Sequence, residues 1–212
     1  MMRKIKVLGV ALVAVLALTA VVASTASAAK FTAASYPAFL TASSSWNNET
    51  FITEAGTVEC AGHFNGTLSA SSESQTMEAS YSGCAAFGFL SAAVEMRFCD
   101  WVWTAPSGVS DLYSTSVDLT CPAGQAITIK VPATGSICTM TIGAQTGLKS
   151  LQITNNTGTA DYNVQANITG ISYTVTQDGF GCPFSGTGAK TGGVYKQDSS
   201  VTVDSTTNLV VG

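Results

Sequence analysis

Apolar and polar residues alternate with a period of two along most of the chain beyond residue 30. In the stretch 160–168, Ala160, Tyr162, Val164, Ala166 and Ile168 take one parity and Asp161, Asn163, Gln165 and Asn167 the other. That is the signature of a half-buried strand. The next segment repeats it with Ile171, Tyr173 and Val175 against Ser172, Thr174 and Thr176. The same rule picks out Val117, Leu119 and Cys121; Ile127, Ile129 and Val131; Cys138, Met140 and Ile142; Leu151 and Ile153; and Val201 and Val203. Turn-forming residues separate these runs at Pro122-Ala123-Gly124, Asn155-Asn156-Thr157-Gly158 and Gln177-Asp178-Gly179. Phe64-Asn65-Gly66-Thr67 reads as a two-residue hairpin turn, because both central residues tolerate positive φ. One stretch, Ala85 to Val94, has the length of a short helix, but Gly88 and the flanking β-formers argue against it. Many short strands joined by turns predict an all-β fold, an antiparallel sandwich or a barrel.

The N-terminus breaks the alternation. Arg3, Lys4 and Lys6 precede an apolar run from Val7 to Val22, and small residues follow in Ala26-Ser27-Ala28-Ala29. Basic, apolar, then Ala-Ser-Ala is the pattern of a secretory signal peptide. Residues 1–29 are therefore expected to be removed, with cleavage after Ala28 or Ala29, leaving 30–212 as the working extracellular region. The apolar run falls short of the roughly 20 residues that a spanning helix prefers, which argues against a retained anchor. The expectation is a secreted chain, off the membrane once cleaved.

Removing the leader leaves six basic residues against thirteen acidic ones, a net charge of −7. Arg97 is the one arginine that remains. Phosphate recognition needs clustered cations, so nucleic acid is not an expected partner. Only 10% of the chain is charged, against about a quarter in an average soluble domain. Serine, threonine, asparagine and glutamine supply a neutral-polar surface instead.

Six cysteines, Cys60, Cys84, Cys99, Cys121, Cys138 and Cys182, all follow the leader. An even number in an exported chain predicts a framework of three disulfides. None of the spacings suits a zinc knuckle or a CxxC redox pair. The two halves of the region, 30–105 and 115–212, resemble each other. Ala55-Gly56-Thr57-Val58-Glu59-Cys60 is similar to Ala133-Thr134-Gly135-Ser136-Ile137-Cys138, and Tyr81-Ser82-Gly83-Cys84 to Phe180-Gly181-Cys182. If the halves are a duplication, the pairing it implies is Cys60–Cys84, Cys138–Cys182 and, between them, Cys99–Cys121. The segment Gly135 to Leu148, the Gly-Phe-Gly-Cys at Gly179 to Cys182 and the Ala-rich leader also resemble uncharacterised secreted proteins of actinobacteria. That resemblance implies an exported, Gram-positive origin and lends no catalytic residue.

Candidate chemistry is sparse. The one histidine, His63, lies beside the Asn65-Gly66 pair and reads as a strand-edge residue near a turn. There is no Gly-x-Ser-x-Gly elbow, no Asp-x-Asp calcium loop and no phosphate-binding glycine loop. No metal and no cofactor is expected. A glycosidase would need two facing carboxylates. The candidates Glu49, Glu54, Glu59, Glu73, Glu78 and Glu95 read mostly as solvent-facing charges on alternating strands. Four Asn-x-Ser/Thr sequons, at Asn48, Asn65, Asn155 and Asn167, are what a chain of this composition produces on its own.

The tryptophans carry more colour. Trp101 and Trp103 share a strand face with Cys99. Outside, they would make a platform for sugar rings; inside, they would pack on a disulfide, and the shared parity with a cysteine favours the inside. Trp46 sits among Ser43-Ser44-Ser45 and Asn47-Asn48 and suits an exposed binding loop. The sequence thus predicts a non-enzymatic extracellular or cell-envelope protein with a structural or adhesive role, whose partner is a polysaccharide or another extracellular protein. A carbohydrate- or cell-wall-binding module using Trp46, Trp101 and Trp103 is the alternative, and a hydrolase with a carboxylate pair a third reading.

Overall fold

The computed structural model describes residues 29–44, 48–54, 56–105, 112–133, 136–155, 162–178, 184, 186–203 and 209–211. Residues 1–28 of the predicted leader lie outside them, as does Trp46.

Every described element is a strand. The chain runs up and down through eight antiparallel staves, four of which are built from strands set end to end. The first stave is β2 (Ala38–Ser43) followed by β3 (Glu49–Thr53), and the second is the long β4 (Gly56–Leu68). The third is β5 (Ser74–Ala86), and the fourth runs through β6 (Leu90–Ser91), β7 (Ala93–Glu95) and β8 (Asp100–Thr104). β9 (Leu112–Thr120) and β10 (Ile127–Ala133) make the fifth, and β11 (Ser136–Ile142) and β12 (Gln145–Asn155) the sixth. β13 (Tyr162–Asp178) and β14 (Gly188–Val203) complete the set. β14 then pairs with both pieces of the first stave, Val201 opposite Ala42 and Tyr195 opposite Phe51. The sheet closes on itself, which decides between the two predicted architectures in favour of the barrel. Outside the ring, β1 (Phe31–Ala33) pairs with β15 (Leu209–Val211), and Phe31 bridges to Ser72.

Closure explains why the alternation is so regular. Eight strands leave an interior just wide enough for side chains to fill. One parity of each stave supplies that filling, while the other meets solvent. Tyr162, Val164, Ala166 and Ile168 point inward from β13. The next inward residues are Ile171, Tyr173 and Val175, of opposite parity. The sequence presents these as two runs; they are one strand, and the register slips between Ile168 and Ile171. Gly170, at φ 79°, absorbs the extra residue as a bulge.

Irregularities of this kind occur at one level all round the barrel. The first stave is interrupted between Ser43 and Glu49, the fourth between Glu95 and Asp100, the fifth between Thr120 and Ile127, and the sixth between Ile142 and Gln145. The β4–β5 and β13–β14 ladders slip near the same height. The barrel therefore has a waist, with the Cys99–Cys121 disulfide set across it from the fourth stave to the fifth.

The predicted turn beside His63 needs correction. Asn65-Gly66 is not a turn: it lies within β4, between Thr41 and Leu40 of β2 on one side and Glu78 and Met77 of β5 on the other. Its glycine is there for space, since a Cβ at position 66 would come within 2.5 Å of the Met77 sulfur. His63 is accordingly an outward, exposed mid-strand residue and has no turn beside it. The helix-length stretch Ala85–Val94 is the end of β5 and its return through β6 and β7.

The Cys60–Cys84 and Cys99–Cys121 bridges are both formed. Cys138 is disulfide-bonded as well, and its expected partner Cys182 lies outside the described residues. The boundary between the two similar halves falls between the fourth and fifth staves, so each half supplies four staves to one shared core.

Candidate functional site

At the waist the interior is not wholly filled. A cavity of about 40 Å³ remains there. Its lining includes Glu49, Ile127 and Ile142, which open or close a strand at a break, Ile171, which follows the β13 bulge, and Trp101, the second residue of β8. Phe51, Val58, Cys60, Tyr81, Val94, Ile129 and Tyr195 complete the wall. Glu49 is the one carboxylate among them.

Glu49 is not the solvent-facing charge its sequence context suggests. It is 2% exposed. Glu49, Phe51 and Thr53 are the buried parity of β3, so the carboxyl enters the barrel with Phe51. Gly62 of β4 makes the room: a Cβ there would lie 2.6 Å from Glu49 Cγ and 2.9 Å from its carboxyl carbon. Ser44 ties the neighbouring break to the same glycine, its amide donating to the Gly62 carbonyl at 2.9 Å and its hydroxyl accepting from the Gly62 amide at 3.0 Å. Gly62→Ala should therefore lower stability by about 2 kcal/mol through overpacking. Urea unfolding of Gly62→Ala, and of Gly62→Ala combined with Glu49→Ala, checks this: the second change should recover part of the loss, because the two sites are in contact.

A directed chain of hydrogen bonds ends on the carboxylate. Trp101 Nε1–H donates to the Tyr81 hydroxyl at 3.2 Å, and the Tyr81 and Tyr195 hydroxyls are 3.1 Å apart. The Tyr195 hydroxyl donates to Glu49 Oε2. The order of donors follows from the carboxylate: Tyr195 gives its one proton to Glu49, so Tyr81 donates to Tyr195 and accepts from the indole. Trp101 also stacks on the Tyr195 ring, centroids 5.2 Å apart and planes at 16°. Among the described residues the other carboxylate oxygen, Oε1, has no hydrogen-bonding partner.

Burial pushes the Glu49 carboxyl up to about 7, because the ion is cut off from water. The Tyr195 and Ser44 hydroxyls oppose the shift by bonding to the ion, and the negative charge of Asp198 adds to it. Burial raises Tyr81 and Tyr195 well above their ordinary values, so both phenols stay neutral.

The other predicted site residues lie apart from this cluster. Trp103 is buried lower in the barrel, tilted against Phe64 at 6.5 Å. With Trp101 also inside, neither indole offers a face to solvent, and the two do not form a sugar platform. Glu54, Glu73 and Glu78 are exposed. Glu95 sits on the outer wall, bonded to Arg97 at 2.6 Å and Lys130 at 3.0 Å, and these two cations hold its carboxyl below the usual range.

The outer wall has a polar groove of about 560 Å³ across β3, β14, β13 and β12. Asn48, Thr50, Lys196, Asp198, Gln165, Asn167, Ser150 and Gln152 line it, with Gln165 Nε2 at 3.5 Å from Asp198. It is legible in sequence only as the polar parity of four strands. Compared with protein-family models, with curated proteins and with solved structures, the chain matches none.

Proposed function

We propose that the protein is a non-enzymatic extracellular barrel with an adhesive role, and that its outer wall holds neutral polysaccharide through the polar groove. The groove itself carries this reading. Amide and hydroxyl side chains such as Gln152, Gln165, Asn167 and Thr50 present donors and acceptors on one surface, the chemistry that sugar hydroxyls require. The rest of the molecule agrees with it. The interior is spent on packing, with room for little besides a few atoms. The alternation is apolar inward and polar outward, the reverse of a lipid-embedded barrel. Disulfides suit an oxidising, extracellular setting. Trp46, two residues before the groove residue Asn48 in the chain, remains the aromatic most suited to stack on a sugar.

Sedimentation with insoluble neutral polysaccharides and cell-wall sacculi tests the proposal. The protein should be depleted from the supernatant by at least one of them. Gln152→Ala or Asn167→Ala should each weaken binding about fivefold, the worth of roughly one net hydrogen bond, and Trp46→Ala should weaken it too. Retention of all the protein in the supernatant with every glycan would overturn the reading.

A further inference from the structure

We infer that the waist cavity is a binding site for a small organic ammonium ion, of the size of methylammonium, held by the free oxygen of Glu49. The inference is independent of the groove on the outer wall. A carboxylate 2% exposed must be paired with a cation or give up its charge. The wall of the cavity contains no lysine, arginine or histidine. Nor can the hydrogen-bond chain supply the missing partner, since its three donors are spent in sequence and the last ends on Oε2. A proton settles the charge only up to about pH 7; above it the carboxyl is an ion whose Oε1 has no hydrogen-bonding partner among the described residues. A guest carrying N–H donors and a positive charge satisfies both the oxygen and the ion.

The wall also fits the guest. Phe51, Tyr81, Trp101 and Tyr195 line the cavity together with the carboxyl, and aromatic rings attract a desolvated cation. A volume of about 40 Å³ is roughly three times the 10–15 Å³ that a cavity needs to hold one water. A methyl-bearing ammonium is thus favoured over a larger amine.

The test uses the full oxidised protein and ¹³C-labelled methylammonium chloride at pH 8, with sodium chloride at equal ionic strength as the control. The bound methyl should appear as a separate resonance, shifted upfield by the rings, and should be absent from Glu49→Gln. In the wild type its population should fall at least tenfold at pH 5, where Glu49 takes up a proton. Of the groups facing Glu49, Tyr81 on β5 and Tyr195 on β14 stay neutral, and Asp198 on β14 contributes negative charge. The pH comparison needs no variant, so misfolding of Glu49→Gln would not rescue the idea. No bound methyl signal at pH 8, a signal equal at the two pH values, or water alone detected beside the cavity residues would overturn it.

Discussion

Trp103→Ala should destabilise the barrel by about 4 kcal/mol, the largest loss expected from any single truncation in this chain. Trp103 is 1% exposed and among the largest side chains wholly inside the ring. It faces inward from β8 opposite Gln75 of β5 and Val117 of β9, so it touches three staves at once. Phe64 of β4 leans on it from a fourth. A closed ladder holds its walls apart at fixed spacing and cannot collapse around the missing indole. The loss therefore contains the transfer of the ring and most of the cavity left behind. Equilibrium unfolding in urea reads it directly, as a lower midpoint at unchanged slope. Trp103→Phe, which keeps much of the volume, should cost less than half as much.

The second large effect is a dependence on pH with an unusual sign. Most carboxylates in folded proteins are stabilised as ions, and stability then falls as the pH is lowered. Glu49 is the opposite case. Its carboxyl holds a proton more tightly in the folded protein, to about pH 7, than in the unfolded chain, where it titrates near 4.5. Its contribution is fully present below 4.5 and is lost as the pH rises through 7. The difference amounts to about 3 kcal/mol across that window. Asp100, raised by partial burial and by the nearby Glu78, leans in the same direction. The wild type should thus unfold at lower urea at pH 8 than at pH 5, and Glu49→Gln should remove most of that difference. A Glu49→Gln variant as pH-sensitive as the wild type would show that the slope has another origin.

How far these features could be read from the sequence depends on what sets each of them. The inward set of β9 to β14 is visible because alternation is a local property, and closure only rewards it. The Cys60–Cys84 and Cys99–Cys121 pairs are legible through the similarity of the halves. The Asn65-Gly66 misreading has a plain cause. In isolation the dipeptide favours a hairpin, but β2 and β5 pair with it on both sides and keep it extended. Glu49 was illegible for a different reason. In Glu49-Thr50-Phe51-Ile52-Thr53 the two apolar residues, Phe51 and Ile52, have opposite parities. Which parity enters the barrel is decided by the space at Gly62 and the hydroxyl of Tyr195, residues 13 and 146 positions away. The waist, too, is a property of the ring as a whole and of no single segment.

The pairing of the eighth stave with the first has a kinetic side. The Thr41 and Thr202 hydroxyls, 161 positions apart, meet across that seam at 3.0 Å. Every other seam joins staves that follow one another in the chain, and each can form by local zippering. The last one must gather nearly the whole polypeptide before it yields any energy, and loop closure of that span is paid in advance. Folding should therefore be slow. Until β14 docks, the partly formed sheet carries two long unpaired edges, the state in which a β chain is most prone to join a neighbour. The sixteen-residue β14, the last stave of the ring, is the latch on which solubility during folding depends.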